Sequence, residues 1–294
     1  QLLETGKNKR FIIPEYQRPY AWSDEQIQVL FDDLTEYTLN TTEDENNTYF
    51  LGTIVAYENE NKEQEIIDGQ QRITSLLLLL RAIYTKLESG GPDTHFLKSQ
   101  IEPTIWKQNS TTGAVNFNEI LISSRVMGEE GNQEFAKILV SGKADEKSTS
   151  NYAKNYRLLQ QLVNEYAADN PLSFYKFISN ILNQAILLPI TADSQETALT
   201  IFSTLNDRGL ALSDADIFKA KIYNKLSENN KAKFVDEWKN LTLKSETAGE
   251  SIQKLFYYYM FYLRAIDHDK KTPHLDLENI LQKIAFLDFL MINC

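Results

Sequence analysis

Five consecutive residues with the sequence DGQQR, numbers 68 to 72, carry the side chains best suited to holding an anion. They lie where a predicted strand ends and a leucine-rich helix begins. If Gly69 forms the turn, the backbone N–H groups of residues 70 to 72 are the unpaired donors of a helix N-terminus, a position that favours phosphate. Arg72 can hold a phosphate through two hydrogen bonds, and the side chains of Gln70 and Gln71 add donors at the same place.

Asp68 adds a carboxylate to this group, and a carboxylate could hold a metal ion or orient a water molecule. A structural interpretation is also open, because Asp-Gly is a common turn and Arg72 could pair with a neighbouring carboxylate. On these five residues alone, the structural interpretation carries the greater weight.

A second candidate is the aromatic segment IPEYQRPYAW, residues 13–22. Gln17 and Arg18 lie between two prolines in a stiff loop, where a packing role is hard to name. Tyr20 and Trp22 could stack on a nucleobase, because every base presents a flat aromatic face. For these aromatic residues we favour the other interpretation, in which their rings belong to the core.

A third candidate is the segment FSTLNDRGLALSDADIFKAK, residues 202–221. Structural explanations are at hand for Asn206, Gly209, Ser213 and Asp216, since they suit the end of one helix and the capped start of the next. Arg208 and Lys219 have no such explanation, and two cations beside a loop between helices suggest an anion. Lys219 could equally pair with Asp216, three residues earlier on the same helix.

The elements that must position these segments follow from hydrophobic periodicity. We predict a short strand at 10–13, a helix capped by Ser23, a hairpin over 49–68 and a buried helix from Gln70 to about Glu88. The segment 185–192 is apolar but contains a proline, so we predict an edge strand there. Residues 95–125 show no clear pattern. Further helices are predicted at 132–140, 151–168, 172–183, 195–205, 214–226, 231–243, 251–266 and 275–290.

Composition excludes several classes of protein and site. The net charge of −11 over 294 residues argues against a broad phosphate-binding surface. One cysteine, Cys294, leaves no disulfide scaffold and no cysteine-based zinc site. Three scattered histidines make a histidine-rich nuclease centre hard to build. No apolar run reaches the length of a membrane span, and no signal peptide is visible, so we expect a cytoplasmic protein and no membrane partner.

The order of four segments along the chain is more specific than any one of them. IPEYQRPYAW, FLGTIV, IIDGQQRITSL and FSTLNDRGLALSDADIFKAK together resemble the N-terminal, GmrS-like domain of GmrSD-type modification-dependent restriction proteins. The resemblance covers about residues 10–225 and is strongest at 12–22, 50–73 and 202–221. We therefore identify the chain as a member of that family, within the ParB-like nuclease superfamily.

The resemblance implies a core similar to the ParB/sulfiredoxin fold, in which DGQQR opens a helix and takes part in nucleoside triphosphate hydrolysis that licenses or regulates DNA cleavage. The residues then assigned to catalysis are Asp68, Gln71 and Arg72. Those assigned to phosphate binding are Gln17, Arg18, Gly69, Gln70, Asn206, Arg208, Gly209 and Lys219. Mg²⁺ is the implied cofactor, held by Asp68.

We expect an α+β protein with a small ParB/sulfiredoxin-like α/β core at 1–90. A large, mostly helical region follows at 91–294, and its strand near 185–192 returns to the core. The leading functional hypothesis is a module of a phage-defence restriction system that binds and hydrolyses a nucleoside triphosphate. A DNA-binding sensor without catalysis is the alternative. Direct nuclease activity is a weaker third, because Asp68 with Asp216 is thin evidence for a metal cluster.

Partners follow from the same hypothesis. Family members often carry a C-terminal nuclease domain of the HNH type, and this sequence shows no histidine cluster of that kind. We therefore expect DNA to be reached through a nuclease domain or partner subunit outside this chain. The acidic, aromatic-rich composition is also compatible with a homo-oligomer.

Overall fold

The computed structural model describes residues 10–41, 48–126, 131–206, 219–220, 222–223 and 226–266. The chain divides into two compact units, Gln1–Gly209 and Leu210–Cys294. The structure is mixed α/β and confirms the α+β class. The predicted boundary near residue 90 lies inside the first unit and remains a prediction.

The first unit alternates short strands and longer helices. Its strands are β1 (Phe11–Ile13), β2 (Tyr49–Glu58), β3 (Gln64–Asp68), β4 (Trp106–Gln108), β5 (Val115–Ile120), β6 (Ile122–Ser124) and β7 (Ala185–Ala192). Its helices are α1 (Asp24–Asn40), α2 (Gln70–Glu88), α3 (His95–Ile105), α4 (Gly131–Ser141), α5 (Asn151–Asp169), α6 (Pro171–Asn183) and α7 (Gln195–Asn206), with a 3-10 turn at Pro92–Thr94. The predicted helices in this unit are confirmed to within two residues at each end.

Five strands form one mixed sheet in the order β6-β1-β3-β2-β7. β2 and β3 form the predicted antiparallel hairpin, and β1 runs parallel to its neighbours β3 and β6. β7 pairs in parallel with β2 at the edge of the sheet, which confirms the predicted edge strand and explains why Pro189 is tolerated there. The segment 95–125, which had no clear pattern, supplies α3, a separate β4-β5 pair and β6.

Helix α2 runs through the centre of the first unit. Its five-leucine run, Leu76 to Leu80, is buried, because α2 packs against α3, α4 and α5 and shares one hydrophobic core with residues of the sheet. A helix that is apolar on all sides is expected in such a position. The residues that begin α2 are therefore fixed to the most deeply packed element of the unit.

Arg81 is the one charged residue of the described chain that is almost wholly buried, with 3% of its side chain exposed. Its Nε donates to the carbonyl oxygen of Leu139 at 3.0 Å, and its Nη1 donates to Thr85 Oγ1 at 2.7 Å. The guanidinium also lies 5.3 Å from the ring centre of Trp106. A Cβ added at Gly142 would come within 2.3 Å of Nη2, so the glycine makes room for the cation. Arg81 thus joins α2 to the end of α4.

We predict that Arg81→Met destabilises the fold by about 2–4 kcal/mol, because it preserves much of the volume but leaves the Leu139 carbonyl without its donor in the interior. Urea denaturation would measure the loss. Lys137→Met is the control: Lys137 is exposed on α4, and its replacement should change stability by no more than about 0.5 kcal/mol. Equal midpoints for the two variants would contradict the role assigned to Arg81.

The second unit contains two long helices, α8 (Glu228–Thr247) and α9 (Ile252–Ile266), which pack on each other. They confirm the helices predicted at 231–243 and 251–266. Of the helix predicted at 214–226, the structure describes residues 219–220 and 222–223, which are helical. The helix predicted at 275–290 lies outside the described residues. No helix in the described part of the chain is both long enough and apolar enough to cross a bilayer.

Candidate functional site

Gly69 forms the turn between β3 and α2, as predicted. Its φ of +89° is a left-handed conformation that glycine adopts without strain. A Cβ at this position would lie 2.4 Å from Ile54 Cδ1 and 2.9 Å from the carbonyl oxygen of Thr53. Both the backbone conformation and the close approach of β2 therefore require a residue without a side chain.

Helix α2 begins at Gln70 without a side-chain cap. The N–H of Ile73 donates to the carbonyl oxygen of Gly69 at 3.0 Å. The backbone N–H groups of residues 70 to 72 precede this bond and so have no carbonyl acceptor within the helix. The positive end of the helix is therefore placed beside Asp68, as the sequence pattern predicted.

The glutamine side chains of this region are buried, and they bind the aromatic segment 13–22. Gln71 Oε1 accepts from the N–H groups of Ala21 at 2.8 Å and Trp22 at 3.3 Å, while its Nε2 donates to the carbonyl oxygen of Pro19 at 3.0 Å. One side chain thus satisfies three backbone groups of an irregular segment. The Gln71 side-chain amide, which we predicted to donate to a phosphate, therefore donates to the backbone of the protein itself.

Gln70 and Gln17 form further hydrogen bonds between the aromatic segment and residues 67 to 70. Gln70 Nε2 donates to Gln17 Oε1 and to the carbonyl oxygen of Arg18, both at 3.2 Å. Gln17 Nε2 in turn donates to the carbonyl oxygen of Ile67, at 3.1 Å. The two segments that the sequence suggested as walls of one site are therefore adjacent, and the hydrogen bonds of Gln17, Gln70 and Gln71 hold them together.

Tyr20 is a core residue rather than a surface for a base. Only 6% of it is exposed, and its ring stacks on that of Tyr152 with centres 4.8 Å apart. Its hydroxyl lies 2.7 Å from Ser75 Oγ and accepts from Asn155 Nδ2 at 3.0 Å. The base-stacking role considered for Tyr20 is therefore wrong, and the core interpretation that we favoured for it holds. Trp22 is partly exposed.

The Arg72 guanidinium lies flat against the backbone of β2. Its Nη1 donates to the carbonyl oxygen of Thr53 at 2.9 Å. Gly52 has a φ of +120°, and a Cβ there would come within 2.7 Å of Arg72 Cζ. No carboxylate of the described residues forms an ion pair with Arg72, so the structural alternative considered for it is not found in this part of the chain. The sequence signal of this close approach is Gly52, a glycine inside a predicted strand.

Asp68 and Arg18 complete the charged part of the site. Burial raises the pKa of the Asp68 carboxyl, while the Gly69 N–H and the charges of Arg72 and Arg18 act to lower it. The Arg18 side chain is exposed, and its guanidinium forms no hydrogen bond or ion pair with any described residue. Two cations therefore act on one half-buried carboxylate at the N-terminus of α2, an arrangement able to bind an anion.

A pocket of about 380 Å³ opens beside Arg72, between α1 and the start of β2. The residues that line it are Trp22, Glu25, Gln26, Val29, Leu30, Asp33, Tyr49, Phe50, Leu51 and Arg72. Most of these residues were not predicted, because they are spread over two elements and form no local motif. Arg72 belongs both to this pocket and to the charged site around Asp68.

The third candidate segment is described only in part. Asn206 is the last residue of α7, Arg208 and Gly209 lie outside the described residues, and Lys219 belongs to the second unit. Their assigned roles therefore stay predictions. The start of α7 does reach the aromatic segment, because Gln195 Nε2 donates to the Tyr16 hydroxyl at 2.7 Å.

Among the described residues, no three His, Cys, Asp or Glu side chains are grouped closely enough to hold a metal ion. Mg²⁺ in nucleotide-binding sites commonly uses one or two carboxylates, because phosphate oxygens and water complete its coordination. Asp68 is half-buried and forms no ion pair with the described residues, so it can serve as such a ligand. The residues present fit a magnesium ion bound together with a triphosphate.

Comparison with known proteins gives one family. Residues 1–223 match the family model described as GmrSD restriction endonuclease, N-terminal domain. A search of curated proteins finds no match. The matched range contains the aromatic segment, the residues 68–72 and the third candidate segment.

We predict that Gly69→Ala costs about 3 kcal/mol or more of folding stability, because the new methyl group meets Ile54 and Thr53 in addition to the left-handed strain. Gly113→Ala is a matched control. Gly113 has a φ of +70° but nothing within 4 Å of the added Cβ, so it should lose only about 1–2 kcal/mol. Thermal unfolding of both variants measures the difference, and equal losses would show that the contact with β2 is unimportant.

A second prediction concerns pH. The raised pKa means that the folded state holds the Asp68 proton more tightly than the unfolded chain, whose pKa is near 3.8. Ionisation of Asp68 therefore lowers stability as the pH rises through the folded-state pKa. Asp68→Asn should raise Tm at pH 7, and the gain should vanish at a pH below 3.8, where the acid is neutral in both states. The exposed Asp193→Asn should change Tm little at either pH, and a drop in Tm for Asp68→Asn at pH 7 would contradict this account.

Proposed function

The chain belongs to the family of GmrSD restriction endonuclease N-terminal domains, which makes it a module of a restriction system, and we propose that this module binds and hydrolyses a nucleoside triphosphate. The observation that carries the proposal is the meeting of Asp68, Arg72 and Arg18 at the uncapped N-terminus of α2. The chain as a whole has a net charge of −11, so a local excess of cations and N–H donors points to a compact anionic ligand.

The two arginines have different tasks in this proposal. Arg72 is fixed by Thr53 and Gly52, so its guanidinium is already oriented before a ligand arrives, and a bound Nη1 leaves further N–H donors on the same group. The Arg18 side chain is exposed and forms no hydrogen bond or ion pair with the described residues, so it can close on a phosphate from the solvent side. Both would stabilise the negative charge of the transferring phosphoryl group.

In this proposal Asp68 acts on water or on a metal ion. Mg²⁺, when bound with the triphosphate, would neutralise phosphate charge, and Asp68 would hold it. A raised pKa also brings a carboxyl group closer to the range in which it accepts a proton from an attacking water. The N–H groups of residues 70 to 72 would receive phosphate oxygens at the helix end.

The three glutamines support this site indirectly, because they hold its parts in place. Gln17, Gln70 and Gln71 use their side-chain groups to fix the aromatic segment against α2, and this places the Arg18 backbone beside the helix start. We assign Gln71 this positioning role in place of the direct catalytic role that the resemblance implied. Loss of any one of them should therefore affect stability and ligand binding together.

Phosphate release from ATP, GTP, CTP and UTP with Mg²⁺ tests the proposal. We expect the wild-type chain to release phosphate, Asp68→Ala to abolish the release, and Arg18→Ala to lower kcat/KM roughly tenfold, the equivalent of about 1.4 kcal/mol of transition-state binding. Arg18→Ala should leave Tm unchanged, because the side chain makes no internal bond.

The matched control is Arg125→Ala. Arg125 is also a surface arginine, and it pairs with Glu63 through Nη2 at 3.0 Å, away from the residues 68–72 in sequence. Its loss should leave phosphate release unchanged. Activity that survives in both Asp68→Ala and Arg18→Ala, or a wild-type chain that neither binds nor hydrolyses any of the four nucleotides, would overturn the proposal. Binding of DNA that weakens steeply with salt would instead indicate the sensor alternative.

A further inference from the structure

A chain of hydrogen bonds joins α7, the aromatic segment and two strands of the sheet. Gln195, the first residue of α7, donates from Nε2 to the Tyr16 hydroxyl at 2.7 Å. On the sheet, the Tyr57 hydroxyl of β2 donates to Glu65 Oε2 of β3 at 2.5 Å. Tyr16 connects the two pairs, because its hydroxyl is also hydrogen-bonded to that of Tyr57. The chain therefore runs from a helix amide to a strand carboxylate through two hydroxyl groups.

The donors of this chain all point the same way. The Tyr57 proton is used on Glu65, so the Tyr57 oxygen is left to accept. Burial is the largest of the causes that raise the pKa of Tyr16 well above its ordinary value, and the hydrogen bond to Tyr57 raises it further, as expected when Tyr16 is the donor. The Tyr16 oxygen then accepts from Gln195. A side chain at position 195 must therefore donate, because one that only accepts would leave Tyr16 with two acceptors for one proton.

The carboxylate end of the chain is held by further bonds. Glu65 Oε1 accepts from Asn59 Nδ2 at 3.0 Å, and the same nitrogen lies 3.2 Å from Glu63 Oε2. Glu63 in turn pairs with Arg125 at 3.0 Å. Because Glu65 is fixed in this way, the position of the Tyr16 hydroxyl is set from both sides, by the sheet through Tyr57 and by α7 through Gln195.

Tyr16 belongs to the turn that leads into Arg18. The Gln17 N–H donates to the carbonyl oxygen of Pro14 at 3.1 Å, so residues 14 to 17 form a tight turn, and Arg18 follows directly. Tyr16 is only 4% exposed, whereas the Arg18 side chain is exposed. A buried hydroxyl group on one side of the turn therefore fixes the backbone from which the exposed guanidinium extends.

We propose that Gln195 is a positioning residue, which holds the Arg18 loop, residues 14–19, in place relative to α7 through the Tyr16 hydroxyl. The inference rests on the proposed function, in which Arg18 acts on the phosphates. It adds a residue from a distant part of the sequence that supports this action without touching the ligand.

Three variants of Gln195 separate donation from volume. Gln195→Leu removes the donor, Gln195→Glu replaces it by an acceptor of the same shape, and Gln195→Lys keeps a donor at a similar reach. We expect the backbone amides of the Arg18 loop to exchange hydrogen about fivefold faster in the Leu and Glu variants at neutral pH, and at the wild-type rate in the Lys variant. Mass spectrometry of the exchanged peptides measures these rates.

Gln161→Leu is the matched control. Gln161 also donates from Nε2 to a side chain, Glu165 at 2.8 Å, but it is exposed on α5 and has no bond to the Arg18 loop. Its replacement should leave both hydrogen exchange in the loop and phosphate release unchanged. Loop exchange that stays at the wild-type rate in Gln195→Leu, or in Gln195→Glu, would overturn the inference.

Phosphate release shows whether the effect passes through Arg18. Gln195→Leu should lower kcat/KM for the nucleoside triphosphates roughly fivefold when Arg18 is present, and should lower it no further in Arg18→Ala. A general loss of stability would act in both backgrounds, so an equal loss in both would overturn the positioning role. Gln195→Lys should restore the wild-type kcat/KM, because the donor to Tyr16 is restored.

The two proposals fail in different ways. If Arg18→Ala loses activity while Gln195→Leu behaves as wild type in both measurements, the proposed function stands and the positioning role falls. If the wild-type chain neither binds nor hydrolyses any of the four nucleotides, both proposals fall.

Discussion

The hydrogen bonds from buried glutamine side chains to the backbone of the aromatic segment are the interaction on which the rest of the site depends. Prolines 14 and 19 keep this segment out of helix and sheet, so its buried N–H and C=O groups have no ladder partners. A buried polar group without a partner costs about 1–3 kcal/mol. A primary amide both donates and accepts, which lets Gln71 satisfy two N–H groups and one carbonyl group at once.

This requirement explains the residue types in the DGQQR segment better than direct contact with a ligand does. Glutamate in place of Gln71 could accept but not donate, and lysine could donate but not accept. The glycine is fixed by the approach of β2, and the arginine by its place on the β2 backbone. Of the five residues, Asp68 has the least structural explanation, and its burial is energetically unfavourable for the ionised form. A carboxyl group whose ionised form is costly to the fold is a reasonable place to look for chemistry.

Sequence patterns correctly predicted the elements whose structure depends mainly on neighbouring residues. Periodicity located the β2–β3 hairpin, helix α2 and the edge strand β7, and the Asp-Gly pair located the turn. The short strand β6 escaped prediction because three residues carry little periodicity and its pairing with β1 joins positions more than a hundred residues apart. Gln71 was predicted as a donor to a phosphate because sequence shows the donor but not its acceptor. The pocket was not predicted from the sequence, because Asp33, Phe50 and Arg72 come together only when the chain folds.

The parallel pairing of β2 with β7 has a consequence for the order in which the protein is made. Tyr49 pairs with Ala185 and Tyr57 with Ala192, so β2 has left the ribosome long before its neighbour is synthesised. During that interval one side of β2 is an open row of N–H and C=O groups next to the residues that support Arg72. Elongation of more than a hundred residues therefore separates synthesis of the charged residues from completion of the sheet behind them. The sheet is complete only after β7 emerges, and until then the open edge of β2 is exposed to pairing with other strands.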